Sequence, residues 1–313
     1  MRPSMKIVGI TGGAGFLGGA LARRLAGDYQ VRILDQRRPA FIDEHPNLSF
    51  RACDVTSPAD CLAGLEGVDA VYHRVGLMGN LASMKAPLQY YSVNYLGTLN
   101  ILEACVAHQV QRFIFDSTEA VYGQNFAGPI PEDVLPGPNS IYGATKLACE
   151  SAVKMYDEQR GLSTLIFRYS RTRTSRKEDA ITIVARKVLR SEPIRLYDGG
   201  EPVIDFVELD DLVEANVRAL SAPVRREVIN ICSGEGISFR GILTTIERLT
   251  GRTAVAVSYE QLPAHPPLSE HKFGSKTFYM SIAKAKRCLG WSPAHSIESS
   301  IAGSIDALKE GGP

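Results

Sequence analysis

The sequence predicts an α/β fold in which helices cover both faces of a doubly wound parallel sheet, with a smaller lobe towards the C-terminus. A short apolar segment, residues 6–10, leads directly into a glycine-rich loop and then into a helical pattern. Strand-like and helix-like segments then alternate through six units, which is typical of a parallel sheet. The alternation loosens after residue 170. We therefore expect residues 1–170 to form the sheet domain and residues 171–313 to form mainly the lobe, partly returning to the sheet.

The periodicity of apolar residues locates the individual elements. In the first domain it predicts strands at 6–10, 31–34, 48–53, 68–73, 112–115 and 163–168, and helices at 16–26, 88–108 and 142–159. After residue 170 it predicts helices at 180–189, 209–220 and 239–249, strands at 204–207, 228–231 and 255–258, a loop at 263–267, and a helical end through residue 309.

The composition is that of a globular protein and excludes several function classes. Of 313 residues, 44% are hydrophobic and 22% are charged. A net charge of +1 gives no general attraction to nucleic acid or to an acidic membrane, and no apolar run approaches the roughly 20 residues of a spanning helix. Six cysteines without a Cys-x-x-Cys pair indicate free thiols in a reducing compartment, the cytoplasm. Six histidines without metal-ligand spacing predict no metal site.

The glycine-rich loop, residues 11–18, reads Thr-Gly-Gly-Ala-Gly-Phe-Leu-Gly between the first strand and the first helix. Glycines let the backbone turn tightly and approach a pyrophosphate, which binds at the N-terminus of the following helix. Asp35 ends the second strand, where a carboxylate can accept hydrogen bonds from the adenosine ribose and repel a 2′-phosphate. We therefore expect NAD as the cofactor, while Arg37 and Arg38 leave NADP open. The alternative for Asp35 is a turn or cap residue.

Tyr142 and Lys146 stand four residues apart in a predicted helix, so their side chains lie on one face. An ammonium fixed beside a phenol favours the phenolate, and we expect the pKa of Tyr142 to fall towards neutrality. A phenol so adjusted can accept or donate a proton. The spacing is common by itself, and the alternative is a chance pair on the surface.

The positions of these residues relative to the strands support the catalytic interpretation. The carboxyl ends of parallel strands form the ligand-binding edge of a doubly wound sheet. Six features of the sequence fall at or just beyond those ends: the glycine loop, Asp35, Asp54, Gly76, Thr118 and Tyr142.

Several further motifs complete a pattern over nearly the whole chain. They are Asp54-Val55, Val93-Asn94-Tyr95-Leu96-Gly97-Thr98, Val121-Tyr122-Gly123, Tyr142-Gly143-Ala144-Thr145-Lys146, Asp205-Phe206-Val207 with Asp210-Asp211, and Leu289-Gly290-Trp291-Ser292-Pro293. With the glycine loop, this pattern resembles the extended short-chain dehydrogenase/reductase family, in its NAD-dependent nucleotide-sugar epimerase and dehydratase branch. The resemblance implies a Rossmann-type nucleotide-binding domain and a C-terminal lobe that binds a nucleotide diphosphate sugar. It also implies a homodimer formed through the helices at about 88–108 and 141–159.

The resemblance implies a role for each matching residue. Tyr142 would be the catalytic base, Lys146 would also bind the nicotinamide ribose, and Thr118 would hydrogen-bond the reacting hydroxyl. The cofactor's pyrophosphate and adenine would be bound by Gly12, Gly15, Phe16, Leu17, Asp54 and Val55. Gly76 follows Arg74 and Val75, where the family usually has Leu-Ala-Ala, and it removes bulk beside the nicotinamide.

The chain departs from the family pattern at its substrate residues. Glu119 stands where the 4,6-dehydratases have an acidic proton donor, and Ala120 where they have a glutamate base. Arg171 replaces a substrate-contacting asparagine, and Ile204 replaces an arginine that grips the diphosphate. The positive charge of the missing arginine could be supplied by other basic residues, namely Arg171, Arg173, Arg176, Lys272 and Lys276. The alternative for most of them is a solvated position on the surface.

The resemblance implies oxidation of a hexose at carbon 4 as the first step, with hydride passing to NAD. Because Glu119 could act at carbons 5 and 6, we favour a dehydratase that eliminates water there before hydride returns. The alternative is a nucleotide-sugar 4-epimerase, in which Glu119 points to solvent or to a helix end. A net NAD-dependent sugar dehydrogenase or reductase is the second alternative, and an NAD-binding sensor without activity is the last.

Overall fold

The computed structural model describes residues 6–123, 128–175, 177–255, 257–260 and 278–311. The strands, in chain order, are β1 Ile7–Thr11, β2 Gln30–Asp35, β3 Leu48–Ala52, β4 Ala70–His73, β5 Arg112–Thr118, β6 Pro129–Ile130, β7 Thr164–Tyr169, β8 Arg171–Arg173, β9 Ile194–Tyr197, β10 Val203–Ile204, β11 Phe206–Glu208, β12 Glu227–Ile231, β13 Ile237–Ser238, β14 Val257–Glu260 and β15 Tyr279–Met280. The helices are α1 Phe16–Leu25, α2 Pro58–Gly64, α3 Asn80–Lys85, α4 Pro87–Tyr90, α5 Gly97–Ala107, α6 Ile141–Arg160, α7 Ala180–Leu189, α8 Leu209–Ser221, α9 Phe239–Thr250, α10 Ala283–Leu289 and α11 Ile297–Lys309.

The central sheet has seven strands within the described residues, in the order β3-β2-β1-β4-β5-β7-β12, and all of its pairings are parallel. The order reverses between β1 and β4, so the connections leave towards opposite sides and open a crevice at the carboxyl ends. The doubly wound Rossmann-type sheet predicted from the sequence is confirmed. Its seventh strand, β12, comes from beyond residue 170.

Each face of the sheet is covered because its strands are apolar on both sides. One core packs α1 and α8 on the sheet through side chains such as Leu21, Ile33 and Leu212. The other packs α2, α5 and α6 on the opposite face through side chains such as Val71, Phe115 and Val153. A third core joins α7, α9 and α11 in the C-terminal lobe.

The helix predicted at 88–108 is divided by a π-helical turn. Residues Tyr91–Leu96 form that turn between α4 and α5. Such turns insert one extra residue per turn and occur frequently at functional sites. The strand predicted at 204–207 is likewise two short strands, because the chain changes partner at Asp205. β10 pairs with β13, whereas β11 pairs with β8.

The C-terminal segment docks on α8 through the chain's single tryptophan. Trp291 is buried, and its indole N–H donates to the main-chain oxygen of Asp211 at 3.0 Å. The Asp211 carboxylate accepts from the main-chain N–H groups of Ala294 and His295. In the part of the chain that the structure describes, no helix is long and apolar enough to cross a membrane.

Candidate active site

A cavity of about 880 Å³ opens at the carboxyl ends of the central strands. It contains nearly all of the site residues predicted from the sequence. Those lining it are Gly12, Gly15, Phe16, Leu17, Asp35, Asp54, Val55, Gly76, Thr118, Glu119, Tyr142, Lys146 and Arg171. This volume lies towards the upper end of the range of about 300–1,000 Å³ that is typical of small-molecule and cofactor sites.

The glycine loop is shaped for close approach of a ligand to the backbone. Gly12 has φ +69°, a left-handed conformation that favours glycine. A Cβ at Gly18 would lie 2.3 Å from the main-chain oxygen of Gly12, so the loop and α1 could not pack as they do with a larger residue. α1 begins at Phe16 with no side-chain cap and no acidic residue in its first turn. Its free N–H groups and positive helix end therefore fit a pyrophosphate.

Two of the residues that line the cavity are Asp35 and Asp54, the carboxylates that were expected to bind the adenosine part of the cofactor. Asp35 accepts weak bonds from the main-chain N–H groups of Ala14 and Arg37, each at 3.2 Å. Asp54 accepts from both the hydroxyl and the N–H of Thr56, and these bonds hold the pKa of its carboxyl below the usual value. Arg38, the second arginine that left NADP open, is paired at the surface with Asp43. These contacts leave the ribose role of Asp35 a prediction.

Lys146 lies on α6 with its side chain buried against β5. Its ammonium donates to the main-chain oxygen of Asp116 at 2.8 Å and lies 4.8 Å from the centre of the Phe115 ring. Burial lowers the pKa of Lys146. A Cβ at Gly76 would lie 3.3 Å from this nitrogen, so a larger residue at position 76 would crowd the ammonium.

The pKa of Tyr142 moves in the opposite direction to the one predicted. Burial is the main cause of a pKa of about 12; a hydrogen bond with the Thr118 hydroxyl opposes the rise, and the nearby carboxylates of Asp116 and Glu119 contribute to it. The sequence predicted a fall because only the neighbouring Lys146 was visible in it. The prediction was wrong for the protein alone, because desolvation of the phenolate is the largest influence on its pKa.

Glu119 begins a short 3₁₀ turn directly after β5, and Thr118 caps that turn by accepting the N–H of Ala120 at 3.2 Å. The Glu119 carboxylate faces Arg171, with 3.8 Å between Oε1 and Nε. The two side chains are 26% and 42% exposed. Glu119 therefore lines the cavity, as the sequence predicted, but it does so as one half of an ion pair.

The other predicted substrate residues have different positions. Arg173 is buried and is bound by the protein itself, since its guanidinium contacts Asp179, Glu208 and the hydroxyl of Ser304. Arg173 therefore connects the start of α7 to α11, and it is not part of the proposed substrate site. Lys276, Lys272 and Arg176 lie outside the described residues. Lys177 lines the cavity instead, 4.6 Å from the centre of the Phe16 ring.

Asn94 is a site residue that the sequence reasoning did not single out. It lies in the π-helical turn, and its side-chain amide bonds both the N–H and the oxygen of Leu77, at 2.7 and 3.1 Å. The same amide donates to the hydroxyl of Thr145 on α6. Asn94 thus connects the loop after β4 to α6, the helix that carries Tyr142 and Lys146. Its place in the motif at 93–98 was the available signal.

A buried polar cluster lies beneath the same strand ends, formed by Arg74, Asp116, Tyr169 and Asn216; we call it the Arg74 cluster. Arg74 Nε lies 3.0 Å from Asp116 Oδ2, and Arg74 Nη2 donates to the Tyr169 hydroxyl and to Asn216 Oδ1, both at 3.1 Å. Tyr169 also donates to Asp116 at 3.1 Å. Among the described residues, Nε and Nη1 of Arg74 are buried without a hydrogen-bond partner, and Nε meets Asp116 only as an ion pair.

The fold, glycine loop and Tyr-Lys pair together define a nicotinamide-dependent enzyme of the extended short-chain dehydrogenase/reductase type. The sequence model of the NAD-dependent epimerase/dehydratase family matches residues 8–232. The chain belongs to this family, and NAD is its cofactor.

Similar proteins agree with that assignment. The UDP-glucuronate 4-epimerase of Thermodesulfobacterium geofontis is 28% identical over 320 residues, covering 96% of this chain and 95% of that protein. The Thermotoga maritima UDP-glucose 4-epimerase, solved with UDP-glucose, has a TM-score of 0.83 at 26% identity, covering 97% of this chain and 99% of that one. The Bacillus cereus UDP-glucuronic acid 4-epimerase, solved with UDP-glucuronic acid and NAD, has a TM-score of 0.80 at 28% identity, with the same coverage.

Proposed function

We propose that this protein is an NAD-dependent nucleotide-sugar 4-epimerase. The observation that carries the proposal is the convergence of Thr118, Tyr142 and Lys146 on the cavity that contains the glycine loop. The one carboxylate that the motif after β5 provides, Glu119, is paired with Arg171, and Ala120 follows it. Elimination of water needs a base and an acid, whereas epimerisation needs neither at this position. The 4-epimerase names of the similar proteins support the same choice.

In the proposed reaction Tyr142 takes the proton of the hydroxyl on carbon 4 and later returns it. Thr118 forms a hydrogen bond with the oxygen of that hydroxyl. The positive charge of Lys146 favours the deprotonated form of the nearby Tyr142. NAD supplies the hydride acceptor for carbon 4 and the donor for the return step. Between the two steps the 4-keto sugar rotates in the site, so that the opposite face of its carbon 4 receives the hydride.

The high pKa of Tyr142 is consistent with this cycle. A positive charge on the oxidised nicotinamide ring beside the phenol would favour the phenolate, in the manner of any nearby cation. The phenol would then be deprotonated, and so able to act as the base, when the cofactor is ready to accept hydride. The environment of Tyr142 keeps it protonated otherwise, because burial raises its pKa to about 12.

A 5,6-dehydratase is the second candidate, and one observation favours it. Glu119 lines the cavity immediately after Thr118, and its carboxylate is close enough to influence the Tyr142 phenol. A base at carbon 5 would occupy such a position. Net oxidation of a sugar is the third candidate and would require NADH to leave the enzyme.

Product analysis distinguishes the candidates. Purified enzyme is incubated with UDP-glucose, UDP-glucuronic acid and UDP-N-acetylglucosamine, and the products are examined by mass spectrometry and proton NMR. An epimerase gives a product of unchanged mass with inverted configuration at carbon 4. Loss of one water would establish the dehydratase, and stoichiometric release of NADH would establish the dehydrogenase. The Tyr142→Phe variant is the negative control.

We also propose a homodimer formed through α4–α5 and α6, in a cytoplasmic enzyme. The support is the exposure of large apolar side chains on these helices, namely Leu88 at 84%, Leu96 at 52% and Met155 at 61%. The six cysteines are free thiols, in keeping with a reducing compartment. Light scattering of the wild type should give twice the chain mass, and Leu88→Lys with Leu96→Lys should give the monomer. A monomeric wild type would contradict the proposal.

A further inference from the structure

Asp116 joins the Arg74 cluster to the catalytic lysine. Its main-chain oxygen accepts from the Lys146 ammonium at 2.8 Å. Its carboxylate forms an ion pair with Arg74, 3.0 Å from Nε, and accepts a hydrogen bond from the Tyr169 hydroxyl at 3.1 Å. One residue therefore supports Lys146 through its backbone while its carboxylate is fixed elsewhere.

The charge of Asp116 must be balanced where it lies. The side chains of Asp116 and Arg74 are 9% and 2% exposed, and an unpaired buried carboxylate is costly. Burial raises the pKa of Asp116, and Arg74 is the largest opposing influence. Lys146 also opposes the rise, but its ammonium is bonded to the main-chain oxygen of the same residue.

The groups that act on the two titrating residues come from several elements. Those facing the Asp116 carboxylate are Arg74 after β4, Lys146 on α6 and Tyr169 on β7. Those acting on the Tyr142 phenol are Thr118 and Asp116 on β5, Glu119 after it and Tyr90 on α4. Asp116 is thus the member of the cluster that acts on the phenol directly.

We propose that Arg74 is a positioning residue of the catalytic centre, which neutralises Asp116 and keeps its carboxylate away from Lys146 and Tyr142. The proposal rests on the catalytic roles given above to Tyr142 and Lys146, but not on whether the product is an epimer or an alkene. Without Arg74, the Asp116 carboxylate has Lys146 as its remaining cation. The ammonium is then drawn towards the carboxylate, and the uncompensated negative charge disfavours the phenolate of Tyr142.

The test uses opposite changes of charge on one ion pair. Arg74→Met leaves the anion, Asp116→Asn leaves the cation, and the double variant removes both charges. Tyr72→Phe is the control, because it removes an uncharged hydrogen bond from Tyr72 to the main-chain oxygen of Asn216 in the same region. The rate of enzyme-bound NADH formation from a nucleotide sugar is measured by stopped flow across the pH range.

The expected shifts have opposite signs. With Arg74→Met the rate at neutral pH falls about tenfold or more, and the rising limb of the pH profile moves up by about one unit. With Asp116→Asn the rising limb of the pH profile moves to lower pH, because the variant lacks the carboxylate that raises the pKa of Tyr142. The double variant returns to within about threefold of the wild type, since the two charges are coupled. Tyr72→Phe leaves the pH profile in place.

Ultraviolet difference spectra of each variant, taken against the same variant with Tyr142→Phe, follow the ionisation of the phenol in the NAD complex without substrate. This measurement separates the two proposals. A wild type that forms no NADH refutes the proposed function, while the tyrosine titration still tests Arg74. Unchanged titrations in the single variants, or a double variant as impaired as Arg74→Met, refute the role of Arg74. If Arg74→Met does not fold, the Asp116→Asn variant is sufficient for the test. The role of Arg74 is refuted if the pKa of Tyr142 in that variant is not lower than in the wild type.

Discussion

Replacing Glu119 by glutamine tests whether its carboxylate only forms an ion pair with Arg171 or transfers a proton in the reaction. The substitution keeps the size of the side chain and removes its charge and its ability to carry a proton. In the structure the carboxylate faces Arg171 at 3.8 Å, and both side chains are partly exposed. Exposed pairs of this kind contribute about 0–1 kcal/mol. Loss of the pair alone therefore changes the rate by less than about tenfold, because tenfold corresponds to about 1.4 kcal/mol.

A proton-transfer role would give a far larger effect. Loss of a general acid or base typically costs about 10²–10⁴-fold in rate. For the proposed epimerase we expect Glu119→Gln to retain activity within about tenfold of the wild type. We also expect its pH profile to move slightly downwards, because Glu119 raises the pKa of Tyr142. Arg171→Gln is the matched control, since it breaks the same pair and keeps the carboxylate.

The assay measures three quantities with each variant: formation of enzyme-bound NADH, inversion at carbon 4, and exchange of the hydrogen on carbon 5 with deuterated solvent. The reasoning is refuted if Glu119→Gln loses product formation by 10²-fold or more while Arg171→Gln does not. Continued NADH formation with abolished exchange at carbon 5 would then assign Glu119 to elimination and make the dehydratase the better description.

Three further changes test the cofactor site and the base. Tyr142→Phe should lower hydride transfer by about 10²–10⁴-fold with NAD content unchanged, and an active variant would exclude Tyr142 as the base. Asp35→Ala should weaken NAD and reduce discrimination against NADP in calorimetric titrations; unchanged preference would remove the ribose role. Gly18→Ala should cost about 1–3 kcal/mol in unfolding free energy and most of the NAD affinity, because its Cβ would lie 2.3 Å from the Gly12 oxygen. Gly27→Ala, whose Cβ meets nothing closer than 3.9 Å, is the control and should change neither quantity.

The sequence was most informative where local patterns decide the structure. The glycine loop, the apolar strands and the order of elements predicted the parallel sheet, because each depends on neighbouring residues and on general rules of connection. The position of Thr118, Tyr142 and Lys146 at one cavity followed from the same rules, since parallel strands bring their carboxyl ends to one edge.

Long-range contacts decided what the sequence could not. Tyr142 was expected to have a lowered pKa from Lys146, four residues away, but burial against distant segments dominates. Arg173 was expected at the substrate, yet it is held by Ser304, 131 residues along the chain. Arg74 was noted only as a departure from the family pattern, because its partner Asn216 lies 142 residues away. No periodicity or motif contains such pairings.

Trp291 gives the protein a built-in optical probe. It is the chain's one tryptophan, and its buried indole is bonded to the start of α8, far along the sequence from the glycine loop. The wavelength of its emission therefore reports whether the C-terminal segment remains docked on the sheet domain. A red-shifted emission would reveal undocking in a variant whose catalytic residues are untouched. The same emission overlaps the absorption of reduced nicotinamide, so energy transfer from this residue offers a direct measure of cofactor reduction during turnover.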